Sequence, residues 1–253
     1  MGMGDELMAL GMAKELHNKT GKKVCIVDAA GRPRKHELFE NIPFVHQAIT
    51  PQVSILKAHS GSGRPYFSEL KPDGFIFKQF KPTPGVFAFS PNDIAFAEKL
   101  PRPTVILEPN IKNAISVDNK DWGFERWEEL AAMCKNAGIP VHQIGQNPHP
   151  ARMLTHATYL HTPTFKIAAA VLARTKAAVL PEGGLHHAAA ALGRRAVVIY
   201  GGFISPAQTG YDLHINLFTG GEPCGSRKSC QHCRDSMAKI TPAEVFEHLK
   251  TLL

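Results

Sequence analysis

Apolar positions recur at helical spacing near the start of the chain, where "DELMALGMAKELHNKTG" sets Leu7, Met8, Leu10, Met12 and Leu16 to predict a helix over about 5–17. Gly21 ends it, and "KKVCIVD" reads as a strand. Between Gly31 and Pro84 the pattern loosens into Pro, Gly, Lys and aromatic residues, with short strand-like pieces in "VSIL" and "GFIFKQF". From Pro101 the alternation is regular. "PTVILEPN" predicts a buried strand with a ligand-facing loop after it, "GFERWEELAAMCKNAG" an amphipathic helix stopped by Gly138, and "PVHQIG" the next strand. "TPTFKIAAAVLARTK" predicts a helix, "AAVL" a short strand, and "RAVVIYGG" a buried strand ending in two glycines. The last helix has a sharp start, with Thr241 as cap, Pro242 at its first position, Glu244 to complete a capping box, and Ile240 to pack on Val245. Strands alternating with helices imply two βα-type modules meeting near 99–104, with ligands at the carboxyl ends of the strands.

Composition adds limits. A chain of 253 residues, 43% hydrophobic and 20% charged, can bury a substantial core. No apolar run is long enough for a membrane span, and Asp5 and Glu6 stand where a signal peptide needs basic residues, so a cytoplasmic protein is expected. The net charge of +7 is spread along the chain, which favours anionic partners without specifying nucleic acid. Five cysteines are an odd number, and three of them, Cys224, Cys230 and Cys233, cluster in "EPCGSRKSCQHC". They offer three thiolates for a structural zinc site; His232 sits awkwardly inside the short loop, so His214 is the better fourth ligand, and the alternative is reduced thiols or a local disulfide.

Candidate chemistry gathers at strand ends. In "PEGGLHHAAAALGR" a strand stops at Leu180 and an apolar helical face begins at Leu185, so Glu182, Gly183 and Gly184 fill the turn, where free N–H groups and the helix dipole favour an anion. Glu182 suits sugar hydroxyls, and His186 or His187 suits a diphosphate oxygen; equally, the acid serves the helix start and one histidine the core. "GMGDELM" has the same form: Gly2 and Gly4 shape a turn, and Asp5 is either a cap or a carboxylate able to take a proton from a hydroxyl nucleophile. Lys120 in "NKDWGFERW" precedes a helix, where it can neutralise a departing phosphate or stay solvated. "YGGFISP" offers Gly201 and Gly202 for close approach of a ligand, and Tyr211, Asp212 and His214 follow in a loop.

"LPEGGLHHAAAALGRRAVVIYGG" resembles the signature of the heptosyltransferase-like glycosyltransferases, glycosyltransferase family 9, in which Asp-Ser/Thr-Gly-x-x-His-x-Ala-Ala-Ala precedes a strand and a glycine. "TVILEPN", "NKDWGFERWEELAAM", "VHQIG", "CGSRKSCQHCRDSMAKITPAEVFEHL" and "GMGDELMALGMAKEL" resemble further family segments, so the likeness covers 104–253 well and 30–100 thinly. It implies an α/β fold of GT-B type, two Rossmann-like domains facing across a cleft: an abbreviated acceptor domain over 1–100 and a nucleotide-sugar domain over 101–253. In that register Glu182 takes the place of the signature Asp, Gly184 of its Gly and His187 of its His, while His186 falls on a variable position. Gly4, Gly183, Gly201 and Gly202 join the donor turns, Lys120 matches a lysine facing the donor phosphates, and Asp5 the N-terminal Asp proposed as general base. The family's transfer is expected to need no metal. Glu182 adds a methylene to the signature acid, so the sugar does not carry over.

The expectation is an inverting glycosyltransferase that moves a sugar from a nucleotide diphosphate sugar to an acceptor hydroxyl. The acceptor is anionic, with a polysaccharide, a lipid-linked sugar or nucleic acid, through a hydroxylated base in DNA, as candidates; the other class is a non-catalytic nucleotide-sugar or nucleic-acid binding module. A shortened first domain without a leading strand suggests an exposed edge that a second copy would cover.

Overall fold

The computed structural model describes residues 2–59, 63–109 and 117–253. Its larger lobe is a six-stranded sheet made of β5 (Val105–Leu107), β6 (Val141–Gly145), β7 (Thr158–His161), β8 (Ala177–Pro181), β9 (Ala196–Tyr200) and β10 (Ile215–Phe218). All pairs are parallel, in the order β10-β9-β8-β5-β6-β7. The order reverses between β5 and β8, the doubly wound arrangement whose switch point opens a crevice at the strand ends. β5 and β9 are buried along their whole length, which is why both read as unbroken apolar runs.

Helices cover both faces. Those between the strands are α3 (Phe124–Asn136), α4 (Phe165–Leu172) and α5 (Gly184–Ala191). The short α6 (Pro206–Thr209), then α7 (Gln231–Lys239) and α8 (Pro242–Lys250), follow β9. Gly138 adopts φ +69 just past α3, as a helix stop requires. Thr241 Oγ1 accepts from Glu244 N at 3.2 Å, but Glu244 does not bond back, so the expected capping box is half made. Trp122 and Trp127, edge to face at 5.0 Å, join β5, α3 and α8 on this side of the sheet.

The smaller lobe opens with α1 (Met3–Thr20) and the parallel pair β1 (Val24–Val27) and β2 (Ser54–Lys57). The antiparallel hairpin β3 (Phe67–Leu70) and β4 (Phe75–Phe77) follows, then α2 (Pro91–Lys99). Among the described residues one parallel strand pair is all that it shares with a full Rossmann-like domain, so it is abbreviated, and the two α/β lobes face each other across a cleft. Their apolar interiors are continuous: Leu7, Leu10, Val24 and Phe39 belong to the same core as Ala168, Leu172, Leu180 and Ala188. α1 is the wedge, packed on β1 and β2 on one side and on α5 on the other. From residue 110 to 116, the loop expected after β5 lies outside the described residues.

Candidate functional site

Two helix N-termini meet at the mouth of the crevice. A Cβ built on Gly4 would lie 2.5 Å from His187 Cδ2, and one on Gly184 would lie 3.4 Å from Met3 Cβ, so the starts of α1 and α5 touch. Their dipoles converge on one spot and favour negative charge there. Glu182, immediately after β8, supplies it: the carboxylate is buried and pairs with Lys120 at the end of a 3₁₀ turn over Val117–Lys120. Burial pushes Glu182 up, but the Lys120 charge and hydrogen bond, with His186, hold it below the ordinary carboxylate value. Lys120 Nζ also lies 5.1 Å from the centre of the Phe203 ring.

Behind Glu182 stands a buried cluster of imidazoles and phenols. His186 Nδ1 accepts from Gly183 N at 2.9 Å and Nε2 donates to Thr209 O at 2.9 Å, so His186 caps its own helix and anchors α6. His187 Nδ1 is 2.8 Å from the Tyr211 hydroxyl, and His214 Nε2 donates to His186 O at 3.1 Å. Burial lowers all three imidazoles, with neighbouring histidines adding to it at His187 and His214; His187 lies well below its ordinary value and His214 at about 4, so they are neutral at pH 7. Tyr211 is pushed up by burial and Glu182, so its hydroxyl stays protonated. Asp212, in the same loop, points to solvent and pairs with Lys81.

The glycines of these turns differ in how closely other elements pack on them. Added Cβ atoms on Gly201 and Gly202 would lie 2.7 Å from Met237 Cε and 2.5 Å from His232 Nδ1, so α7 packs closely against both. A Cβ on Gly183, by contrast, would have only Pro181 O near it among the described residues, at 3.9 Å.

Asp5 faces this site from the smaller lobe. Its Oδ2 accepts from Gly2 N at 3.2 Å and Arg64 Nε at 2.9 Å, and its Oδ1 accepts from the Tyr66 hydroxyl at 2.9 Å. Burial raises the Tyr66 phenol well above its ordinary value, and the charges of Asp5 and Glu182 add to this. Arg64 and Tyr66 escaped the sequence analysis because their stretch carries no periodic pattern.

The three clustered cysteines come together below the Gly201–Gly202 turn. Cys224 Sγ lies 3.2 Å from Cys233 Sγ and 3.7 Å from Cys230 Sγ. A tetrahedron with metal–sulfur bonds of about 2.3 Å puts its sulfurs about 3.8 Å apart, so the spacing fits a metal with modest adjustment. The hydrogen bond shared by Cys224 and Cys233 lowers the Cys224 thiol and raises that of Cys233. The fourth member is His232: the ligand atoms of Cys224, Cys230, His232 and Cys233 lie within 4.8 Å of one another. His232 Nε2 donates to Gly220 O at 2.8 Å, leaving Nδ1 for a metal. The expected fourth ligand, His214, is committed to the imidazole cluster instead. Residues 230–233 form a helix start, with Cys230 as N-cap, and not the loop that made His232 look awkward. Thiolates with one imidazole suit zinc or iron.

Residues 79–233 match Glycosyltransferase family 9 (heptosyltransferase). No curated protein matches the chain in sequence. Among solved structures, the glycosyl transferase family 9 protein of Veillonella parvula is similar with a TM-score of 0.67, at 14% identity over 100% of this chain and 94% of that one. TibC, a bacterial iron-containing dodecameric glycosyltransferase from enterotoxigenic E. coli, gives 0.62 at 13% identity, over 100% and 74%. The E. coli ADP-heptose lps heptosyltransferase II gives 0.49 at 22% identity over 66% of this chain and 53% of that one. The chain thus spans about half the length of that enzyme and of E. coli heptosyltransferase WaaC in the corresponding alignments. At such identities the likeness shows the fold alone. The expectation of a transfer free of metal is overturned here: a built cluster of three thiols and an imidazole, and an iron-containing relative, argue against strict metal independence.

Proposed function

The chain belongs to glycosyltransferase family 9, and from that membership we propose that it transfers a sugar from a nucleoside diphosphate sugar to an acceptor hydroxyl, inverting the anomeric carbon. The observation that carries the reading is the Lys120–Glu182 pair beside the switch point of the sheet, at the N-terminus of α5. In this reading the diphosphate lies over the Glu182–Gly184 turn. Lys120 leaves Glu182 to meet the phosphates as negative charge builds on the leaving group, and the freed carboxylate accepts from sugar hydroxyls. His187, neutral and fixed by Tyr211, supports the turn. Asp5 takes the proton from the acceptor hydroxyl, which displaces Tyr66 from Oδ1 and attacks the anomeric carbon from the face opposite the diphosphate.

ADP is the first donor nucleotide to test, because TibC has been solved in complex with ADP-D-beta-D-heptose. A thermal shift with ADP, GDP, UDP and CDP identifies the base, and a flat response to all four rejects a nucleoside diphosphate site. Asp5→Asn should lower kcat at least about a hundredfold with donor KM little changed. Unaltered turnover removes Asp5 from the base position. Inversion is read directly, from the anomeric configuration of the product by NMR.

Cys224, Cys230, His232 and Cys233 hold a structural metal in this proposal, zinc or iron, which fixes the chain between β10 and α7. Metal analysis should find about one equivalent per chain; less than about one tenth rejects the site. The basic chain suits an anionic acceptor. Self-association is part of the reading too, since Ile55, Leu70 and Ile76 expose apolar surface on the smaller lobe and TibC is dodecameric. Light scattering that gives a monomer excludes it.

A further inference from the structure

The segment 224–230 does more than carry thiols. Cys224 N donates to Gly202 O at 2.8 Å and Gly225 N to Phe203 O at 3.1 Å, which ties the segment to the turn after β9. On its other edge Phe75 N donates to Gly225 O at 2.9 Å and Arg227 N to Asp73 O at 3.0 Å, which ties it to the hairpin β3–β4 of the smaller lobe. Gly225 is required at that seam: its φ is +59, and a Cβ there would lie 2.0 Å from Phe75 O.

A third set of bonds runs to Asn119, the residue before Lys120. Its side chain is fully buried, and Nδ2 donates to Ser226 O at 3.0 Å and to Lys228 O at 2.8 Å, while Oδ1 accepts from Cys230 N at 3.0 Å. Three bonds from one amide use nearly all of its capacity. Hairpin, thiol segment and the turn bearing Lys120 therefore form one hydrogen-bonded unit that reaches from one lobe into the other.

We propose that Asn119 is a positioning residue for the donor site, holding Lys120 at the diphosphate by clasping the cysteine segment that also binds the hairpin of the smaller lobe. The inference rests on the reading of Lys120 as a phosphate ligand. It assigns the cysteine segment a part in joining the two lobes, through its backbone, whichever metal its thiols hold.

A double-mutant cycle with ADP as probe, measured by titration calorimetry on the full chain, tests it. Asn119→Ala should weaken ADP binding about tenfold in the wild-type background and leave it unchanged in a Lys120→Ala background, because the lost positioning has nothing left to position. Equal loss in both backgrounds, or no loss in the first, overturns the proposal. If Lys120→Ala alone binds ADP like the wild type, the donor-site reading itself fails, a result distinct from additivity. Should Asn119→Ala melt, the same cycle is run with Gly225→Ala, which strikes the hairpin end of the clasp while Asn119 stays in place. The same dependence on Lys120 is expected there, and its absence overturns the proposal equally.

Discussion

Glu182 shows what one residue can disclose before any fold is known. Its place after an apolar strand and before an alanine-rich helix marked it as an anion-site residue, and Lys120 was marked by its place before a helix. That they pair was not legible, since 62 residues separate them in sequence. Their division of labour has a test of its own. Glu182→Gln should lower affinity for ADP-heptose about tenfold while ADP binds as tightly or better, because Lys120 is released to the phosphates. Equal loss for both ligands would contradict the separate roles. The imidazole cluster sets the pH response. An unfolded histidine titrates near 6.5, whereas folded His214 titrates at about 4 and His186 and His187 also lie below their ordinary value. Between those values the unfolded chain binds more protons, so stability is full above about pH 6.5 and falls as the pH drops towards 4. His214→Asn, measured by urea denaturation across that range, should reduce the slope by about one proton.

Elements buried on both faces were readable and edge elements were not. β5, β8 and β9 announce themselves as apolar runs, but β7 and β10 sit at the two edges of the sheet, half exposed, and offer neither an unbroken run nor strict alternation. α2, with a full capping box at Ser90 and Asp93, was overlooked in a stretch dominated by proline and phenylalanine. α1 was legible as a helix, but its glycine was not legible as a contact. A Cβ on Gly11 would lie 1.9 Å from Thr83 O, a backbone atom that cannot swing aside. Gly11→Ala gains helix propensity yet should destabilise the protein by about 1–3 kcal/mol, read from chemical denaturation. A neutral or stabilising result would mean that the segment around Thr83 yields. The two tryptophans make a paired comparison, because Trp122 Nε1 donates to Ile240 O at 2.8 Å whereas Trp127 Nε1 has no partner among the described residues. Trp122→Phe leaves a buried carbonyl unpaired and should cost more than Trp127→Phe by about 1–3 kcal/mol.

At the scale of the whole molecule, the doubly wound lobe and the shortened first lobe were both implied by the sequence, whereas the continuity of their cores was not, because it depends on α1 packing against α5 far along the chain. The fragment 101–253 expressed alone should therefore bind a hydrophobic dye, and a peptide of residues 2–21 should suppress that binding; a fragment that stays dye-free would show that α1 is dispensable to the larger core. The same wedge imposes a delay during synthesis. Leu7, Met8 and Leu10 leave the ribosome long before Leu185 and its helix exist to cover their neighbours, roughly ten to forty seconds at bacterial or eukaryotic elongation rates. For that interval the face of α1 that meets α5 lies uncovered, which makes it a natural point of engagement for chaperones that attend the exit tunnel.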